Sequence, residues 1–587
     1  MMARFRPLLF LCIAALLSAC ASSPSSTLGE LPRTPQASTQ QMLEEADASD
    51  PAKAALLRLS AADQSMQQGN QAQARQILEQ VAIEQLKPAQ QMFAKTLEAE
   101  LALAGNEPQR ALQALQHPAF ERLAELPVEQ QLRTQLARAQ ALEANDQPLD
   151  AARERTFIAP LLSGEAAERN HEAIWSLVSS LPDDELQPTA DTDLSGWLSL
   201  AATVKQAGTL GQQQRAIDAW IQQNPNHPAA RRLPESLVKL RELADKPLSH
   251  VALLLPMDGP LASVARALRD GFLAAHLAAR HDLKIELFDS TRLSSLDDFY
   301  QQAAASGVEL VIGPLEKDMV RQLANREQLP ITTLALNYSD ADQKTPPQLF
   351  QFGLAAEDEA REVARRAWAD GHRRAVALTP RGDWGNRVLQ AFRQEWQDLG
   401  GTVVAAESLA EPIELANQIA DLLQVRSREG NESQPSRSQD IDFLFLAATP
   451  QQAQQVRPTL IFQYAGDLPV YATSHLHAAT DNRTQYLDLE GIRFTETPWL
   501  LNPQLPLRQE IERKWPQARS SLGRLYAMGA DAYLLAPSLN QLLVLPETQL
   551  DGLSGTLSIT PEQRIERRLP WAEFHDGQVQ RLADTPD

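Results

Sequence analysis

Cysteine is almost absent from this chain of 587 residues: there are only two, Cys12 and Cys20. Cys12 lies within an apolar leader, so the remainder has one thiol and no internal disulfide framework. No apolar run of about 20 residues follows the N-terminus, which excludes a spanning helix beyond it. Basic residues are the minority, 54 against 75 acids, for a formal charge of −21. The excess acid is spread through helix-like segments with no basic stripe, which argues against nucleic acid or anionic lipid headgroups as ligands. Glycine loops that cradle phosphate and a G-x-S-x-G elbow are also missing. What is present, 43% hydrophobic residues in a long chain, predicts a globular protein of at least two domains.

Residues 1–19 read as an export signal. Arg4 and Arg6 precede an apolar core, Leu8 to Leu17, that is too short to span a bilayer and closes on Leu17-Ser18-Ala19-Cys20. This ending resembles the bacterial lipobox, in which the signal is cut before a cysteine that carries diacylglycerol and is then N-acylated. Cys20 is therefore the expected lipid attachment site, against the alternative of an ordinary cleavage site with a chance cysteine. Several acyl chains anchor a protein stably where one does not. Ala21 and Ser22 follow, and by resemblance to lipoprotein sorting rules the absence of Asp after Cys20 points to the outer membrane.

Residues 20–40 are rich in Ser, Pro and Thr and predict an acylated cysteine on a flexible tether. About 20 extended residues reach at most roughly 70 Å, enough to hold a folded part away from a membrane. From 41 to 243 the pattern is helical and poor in strands. Short turns at Gly69-Asn70, Gly105-Asn106 and Asn145-Asp146 are spaced 36 and 40 residues apart, and similar phrases follow them: NQAQARQIL, NEPQRAL and DQPLDAAR. That period is near the 34 residues of tetratricopeptide repeats. A helical-hairpin solenoid is expected, with a plain helical bundle as the alternative. Its role is either an extended protein-binding face or a rigid spacer.

Residues 241–249 read as a linker, and 249–587 as an α/β domain. Val251 to Leu255 is a continuous apolar run, the mark of a strand covered on both faces. After it comes a helix with Val264, Ala265, Leu268, Phe272 and Ala275 on one side. Strands are expected at Lys284–Phe288, Val308–Ile312, Ile331–Leu336, Leu349–Phe352, Ala375–Thr379, Thr402–Ala405, Asp442–Ala447 and Pro469–Ala472, with a helix over Ala356–Ala369 and a loop at Pro380–Gly385. Arg426 to Gln439, without an apolar residue, reads as a surface loop. The alternation predicts two lobes of doubly wound α/β structure, with chain crossings near Phe350, Phe494 and Leu553.

Catalytic and metal-binding patterns are fragmentary. Ser236-Leu-Val-Lys239 fits S-x-x-K, but it lacks S-D-N and K-T-G partners and reads as chance. His475 and His477 are two apart after a strand, while His276 and His281 do not share a helical face. No Cys or carboxylate set completes a metal site, so these histidines read as surface residues. Asp383, in Gly382-Asp383-Trp384-Gly385, is a candidate cleft acid. No catalytic residue, metal ligand or cofactor is expected.

The order of elements resembles the type I periplasmic-binding-protein fold. More narrowly, VALLLPMDG, VELVIGPLEKDMVRQLA, TLALN, AAEDEAREVARRAW, AFRQEWQDLGG, LEGIRFTETPWL and RLYAMGADAYLLA are similar to the outer-membrane lipoprotein activators of class A penicillin-binding proteins, the LpoA family. The resemblance is close from Ser249 onward and agrees in kind before it. It implies a TPR-like helical solenoid followed by a two-lobed binding-protein-like domain, anchored by lipid on the periplasmic side of the outer membrane. The family's role would be to pass through gaps in peptidoglycan and stimulate a bifunctional peptidoglycan synthase, without chemistry of its own. The rival expectation is a receptor for a cell-wall fragment or other polar solute, and a remote third is a cell-wall hydrolase. Amino-acid-binding members of the fold grip carboxylates with loops that correspond here to Gly313-Pro314-Leu315-Glu316-Lys317 and Leu334-Ala335-Leu336-Asn337. Lys317 stands where those members place Ser, and the second loop lacks their hydroxyls, so amino-acid capture is not expected.

Overall fold

The computed structural model describes residues 28–32, 37–207, 210–244, 246–339, 345–425, 438–480 and 483–583. The signal, Cys20 and most of the 426–439 loop lie outside the described residues. Two compact units are present: one holds the chain up to Thr203 together with Trp220–Pro234, and the other holds Val204–Ala219 together with the chain from Glu235.

The first unit is helical. Four helices of 17 residues each, Pro51–Gln67, Pro88–Ala104, Val128–Ala144 and Gly164–Ser180, recur along it, and shorter helices Gln71–Leu78, Pro108–Leu115 and Pro148–Ile158 follow the first three. Their turns repeat as the sequence does: Gly69, Asn106 and Asp146 have φ of 80°, 57° and 56°, the left-handed region that Gly, Asn and Asp adopt most readily. Proline at the start of Pro51–Gln67, Pro88–Ala104, Pro108–Leu115 and Pro148–Ile158 leaves no amide unsatisfied there. Buried alanines, among them Ala61, Ala94, Ala99, Ala111, Ala137 and Ala151, allow the helices to approach closely. Arg133 joins three successive long helices, donating to Glu100 at 2.7 and 2.5 Å and to Asp63 at 2.5 Å. These features make a helical-hairpin repeat array.

Part of the expected tether is built into this unit. Leu28 is 4% exposed, packs in a core with Met92 and Ala99, and its carbonyl accepts the Ala89 amide at 2.9 Å. Leu28 and Leu31 are the two large apolar residues of the 20–40 stretch, and packing Leu28 fully and Leu31 partly into this core ties residues 28–31 to the unit.

The second unit has two mixed sheets. The first contains β1 (His250–Leu255), β2 (Lys284–Asp289), β3 (Leu310–Ile312), β4 (Thr332–Ala335) and β5 (Leu349–Phe352). The second begins with β6 (Arg374–Thr379), β7 (Thr402–Ser408), β8 (Phe443–Leu446), β9 (Val470–Ala472) and β10 (Ile492–Thr495). The chain then returns to the first sheet for β11 (Leu550–Asp551), β12 (Thr556–Ile559) and β13 (Arg564–Arg568), and ends in the second with β14 (Trp571–His575) and β15 (Gln578–Arg581). Strand orders are β11-β12-β13-β5-β4-β3-β1-β2 and β15-β14-β10-β9-β8-β6-β7. Pairs among β1–β5, and those among β6–β10, are parallel, as continuous apolar strands between helical layers require.

Both faces of each sheet are covered. Val251, Leu253 and Leu255 enter one core, while Ala252 and Leu254 enter another; Leu444 and Leu446 likewise separate from Phe443 and Phe445. The helix Ala262–Ala279 packs on Gly523–Leu535 with backbones almost touching, because a Cβ at Gly271 would lie 2.2 Å from the Tyr526 carbonyl oxygen and one at Gly529 2.0 Å from that of Leu268.

Two local expectations are corrected. The helix Asp383–Asp398 begins inside the expected loop: Gly382 makes the turn at φ 100°, and only glycine fits at 385 in the first turn, because the Pro380 carbonyl oxygen lies 1.8 Å from where a Cβ would stand. The third crossing between lobes falls at Leu569–Pro570, between β13 and β14, and not near Leu553. Leu553 stays in the first lobe because its amide and that of Ser554 donate to buried Asp531, each at 2.7 Å.

Candidate functional site: the seam between the lobes

Carboxyl ends of parallel strands point loops toward the crevice between lobes, where binding proteins hold ligand. In the first lobe the two loops singled out from the sequence bond to each other. The Gly313 amide donates to Leu334 O at 2.8 Å, Leu336 N to Pro314 O at 2.9 Å, and Asn337 Nδ2 to Leu315 O at 2.9 Å. Lys317 starts the helix Lys317–Ala324 and is exposed. These bonds join one loop to the other at the carboxyl ends of β3 and β4.

The seam itself is pinned by two buried charge clusters. Glu496, fully buried just after β10, is gripped by Arg524 from the Gly523–Leu535 helix of the other lobe: Nε donates at 3.0 Å and Nη2 at 2.5 Å. The same Nη2 reaches the carbonyl oxygens of Ser474 at 3.0 Å and His477 at 3.2 Å, both in the loop after β9. His477 Nδ1 lies 2.6 Å from Glu496, and the Thr497 amide donates to it at 2.7 Å. Burial alone would raise the Glu496 pKa, but the Arg524 charge and the His477 bond outweigh it and hold the carboxyl well below the usual range. Both carboxylate oxygens of Glu496 and the Nε and Nη2 of Arg524 face partners, and such satisfaction is what lets a buried ion pair be tolerated.

The second cluster centres on Glu359, in the Ala356–Ala369 helix that packs in the second lobe. It accepts Ser474 N at 2.7 Å and Ser474 Oγ at 3.0 Å, with Thr495 Oγ1 at 3.4 Å. Arg567 comes from β13 of the first lobe; its Nη2 is 3.8 Å from Glu359, while its other nitrogens donate to Gly353 O at 3.1 Å and Ser554 O at 3.0 Å. Asp531 sits beneath the same turn and accepts Ser554 Oγ at 2.5 Å as well as two amides. Desolvation pushes its carboxyl up to about 6.

The sequence-derived candidates fall as follows. His477 is buried and bound to Glu496, and His475 is half-buried against Trp384 with ring centroids 4.9 Å apart; both correct the reading as surface residues. Burial lowers the His475 pKa, against the pull of Glu359. The loop after β9 turns into the seam, which buries His477 and half-buries His475. His281 is exposed and its Nδ1 lies 3.2 Å from Tyr533 Oη, while His276 is half-buried. Asp383 is exposed at its helix start, and Lys239 pairs with Glu235 at 2.6 Å. Among the described residues no group of three or more His, Cys, Asp or Glu is arranged to hold a metal ion. In the helical unit a groove of about 1130 Å³ is lined by Lys95, Glu98, Glu107, Arg110 and Asn145. Its charges are largely paired, Lys95 with Glu98 at 3.0 Å and Arg110 with Glu107 at 3.2 Å.

Glu359, Glu496, Arg524, Asp531 and Arg567 were not singled out from the sequence. For two of them a signal existed: Asp531 is the lone acid inside the apolar helix phrase LYAMGADAYLLA, and Glu496 directly follows the core-bound Phe494-Thr495. An isolated charge in a segment that must be buried announces a partner elsewhere.

A helical-repeat unit and a two-lobed, binding-protein-like α/β unit with an ion-paired seam define the architectural class. The chain belongs to the LppC putative lipoprotein family, whose profile matches residues 32–577. It is 28% identical over 585 residues to the penicillin-binding protein activator LpoA of Vibrio cholerae, with 96% of each chain covered. With the LpoA of Photobacterium profundum it shares 29% over 487 residues, 78% of each chain. A Haemophilus influenzae LpoA crystal structure superposes with a TM-score of 0.71 at 25% identity, covering 94% of this chain and 99% of that one. The C-domain of H. influenzae LpoA, described as a regulator of PBP1A, matches at 28% identity and a TM-score of 0.50 over 57% of this chain.

Proposed function

We propose that this chain is a non-catalytic activator of a bifunctional peptidoglycan synthase, anchored through acylated Cys20 on the periplasmic side of the outer membrane. The observation that carries the reading is similarity to penicillin-binding protein activators over 96% of both chains. Activation works by contact: a surface that binds one conformation of the synthase better than another shifts its population, and a tenfold shift needs only about 1.4 kcal/mol of differential affinity. The α/β unit, residues 249–587, carries the stimulating surface, and residues 41–243 set reach and position across the peptidoglycan layer. A pinned seam suits this role, since a rigid surface spends little free energy on ordering when it docks. The rival role, a solute receptor, needs a hinge that closes; the buried Arg524–Glu496 pair, which ties the lobes together across the seam, favours the activator.

The test is glycan polymerisation and peptide cross-linking by a purified class A penicillin-binding protein, with and without the mature chain. Both rates should rise, and the chain alone should neither polymerise nor hydrolyse peptidoglycan. Fragments 246–587 and 41–243 then locate the effect. Since buried Gln541 bonds Gln213 at 3.0 Å within the second unit, a fragment that also carries residues 204–244 is the informative companion. Stimulation by 41–243 alone would reverse the assignment of roles, and saturable binding of a cell-wall fragment without any effect on the synthase would favour the receptor.

A further inference from the structure

The second lobe has an apolar surface that its own core does not use. Ile413, Ile461, Phe462 and Tyr464 are 90%, 59%, 70% and 49% exposed. They lie where the helix Pro450–Phe462 ends beside the start of the helix Leu415–Leu422, and Gln463 Nε2 ties these two ends together by donating to Ala416 O at 2.9 Å. Leu415, Ile419, Leu460 and Ala465 fill the core beneath. The lobe therefore has ample apolar residues at this place, and four large ones still face outward.

Tyr464 adds a second observation. It occupies the first position past the helix C-cap with φ 55°, where Gly or Asn is the usual residue, and the Ala465 amide returns to Leu460 O at 2.8 Å as that turn requires. A bulky residue held in the left-handed region with its ring half in solvent is kept for what the ring touches, because glycine would make the same turn without strain.

The charges around the patch select its occupant. Glu411 and Glu414 flank Ile413 and are exposed, and the stretch from Glu407 to Leu423 contains no Lys or Arg. The nearby Arg457 is turned inward, donating to Glu490 O at 2.9 Å and Gly466 O at 3.1 Å. A second copy would oppose the same acids across a two-fold axis, and an anionic lipid surface would be repelled. The chain's own 426–437 segment has no apolar residue to offer.

We infer that this patch is the docking site on the activator for a protein surface with an apolar protrusion framed by Lys or Arg, contributed by the synthase. The inference rests on the function proposed above and specifies which surface performs it. It is tested by measuring affinity of the full mature chain and its variants for the purified synthase. Phe462→Ser should weaken binding by about tenfold or more, as loss of a central aromatic anchor does. Tyr464→Gly should weaken binding while its melting temperature stays at or above that of the parent, a pairing that a structural role for Tyr464 does not produce. Glu411→Lys with Glu414→Lys should slow association and flatten its salt dependence. Leu487→Ser, which alters an equally exposed apolar residue on another helix, should change nothing. If the parent binds and all patch variants bind within twofold of it, the docking site lies elsewhere. Dimerisation of the parent that Phe462→Ser abolishes would assign the patch to a second copy. A parent chain that neither binds nor stimulates the synthase would overturn the functional reading, and this partner with it.

Discussion

Replacing Arg524 by Met keeps most of the side chain's apolar stem and removes its charge. Glu496 is then left fully buried with the Thr497 amide and hydroxyl and His477 as its partners, and the carbonyls of Ser474 and His477 lose their shared donor. Breaking a buried pair from one side costs about 3–5 kcal/mol, because the remaining charge has lost its compensation. His477, 2.6 Å away, offsets part of this, so a loss near 3 kcal/mol is expected. Denaturant unfolding of the full chain measures the total, and hydrogen exchange at the Thr497 and Ser474 amides measures the seam. Exchange at Thr497 should accelerate by about a hundredfold, the equivalent of nearly 3 kcal/mol. Adding Glu496→Leu to Arg524→Met removes the orphaned charge and should restore stability to within about 1 kcal/mol of the parent. A loss below about 1 kcal/mol for Arg524→Met, or a double variant weaker than the single one, would refute the role assigned to the clamp.

Other consequences can be measured independently. Asp531 is raised to about 6, so its folded state prefers the proton. Its contribution is therefore full below the unfolded value near 4 and declines as pH rises through about 6, by about 3 kcal/mol; Asp531→Asn should abolish that slope in denaturant titrations at pH 4.5 and 6.5. Glu496 has the opposite sign: its depressed pKa gives stability that is present above about pH 4 and lost on further acidification, a loss that Glu496→Gln should not show. Gly529→Ala puts a Cβ 2.0 Å from the Leu268 carbonyl oxygen, so the two helices must separate; a loss of about 3 kcal/mol is expected by urea unfolding, and an unchanged midpoint would show that they can slide apart freely. Mass spectrometry of the mature N-terminus should find acylated Cys20, and Cys20→Ala should leave the signal uncleaved; an unmodified terminus elsewhere defeats the anchoring proposal.

Much of the architecture was legible because it depends on local period and turn chemistry. The apolar run Val251 to Leu255 is a doubly covered strand whatever surrounds it, and Gly69, Asn106 and Asp146 mark repeat turns because few residue types accept their dihedrals. The acid-rich helix read from the sequence over Ala356–Ala369 begins and ends in the structure at those same residues. What tertiary structure alone decided is where charges from distant segments meet. Glu359 is one of several acids in its helix and looks like its neighbours until Ser474 and Arg567 are brought to it. Arg524 and Glu496 are 28 residues apart in different lobes, and no spacing rule pairs them. The return of β11 to β13 to the first sheet moved the last crossing to Leu569–Pro570, since Asp531 holds the Leu553 turn from a helix that the local sequence does not mention. The same reason buried His475 and His477, and hid the exposed face of Ile413 and Phe462. Period and composition report which residues can be covered, whereas only the packing of remote segments decides which are.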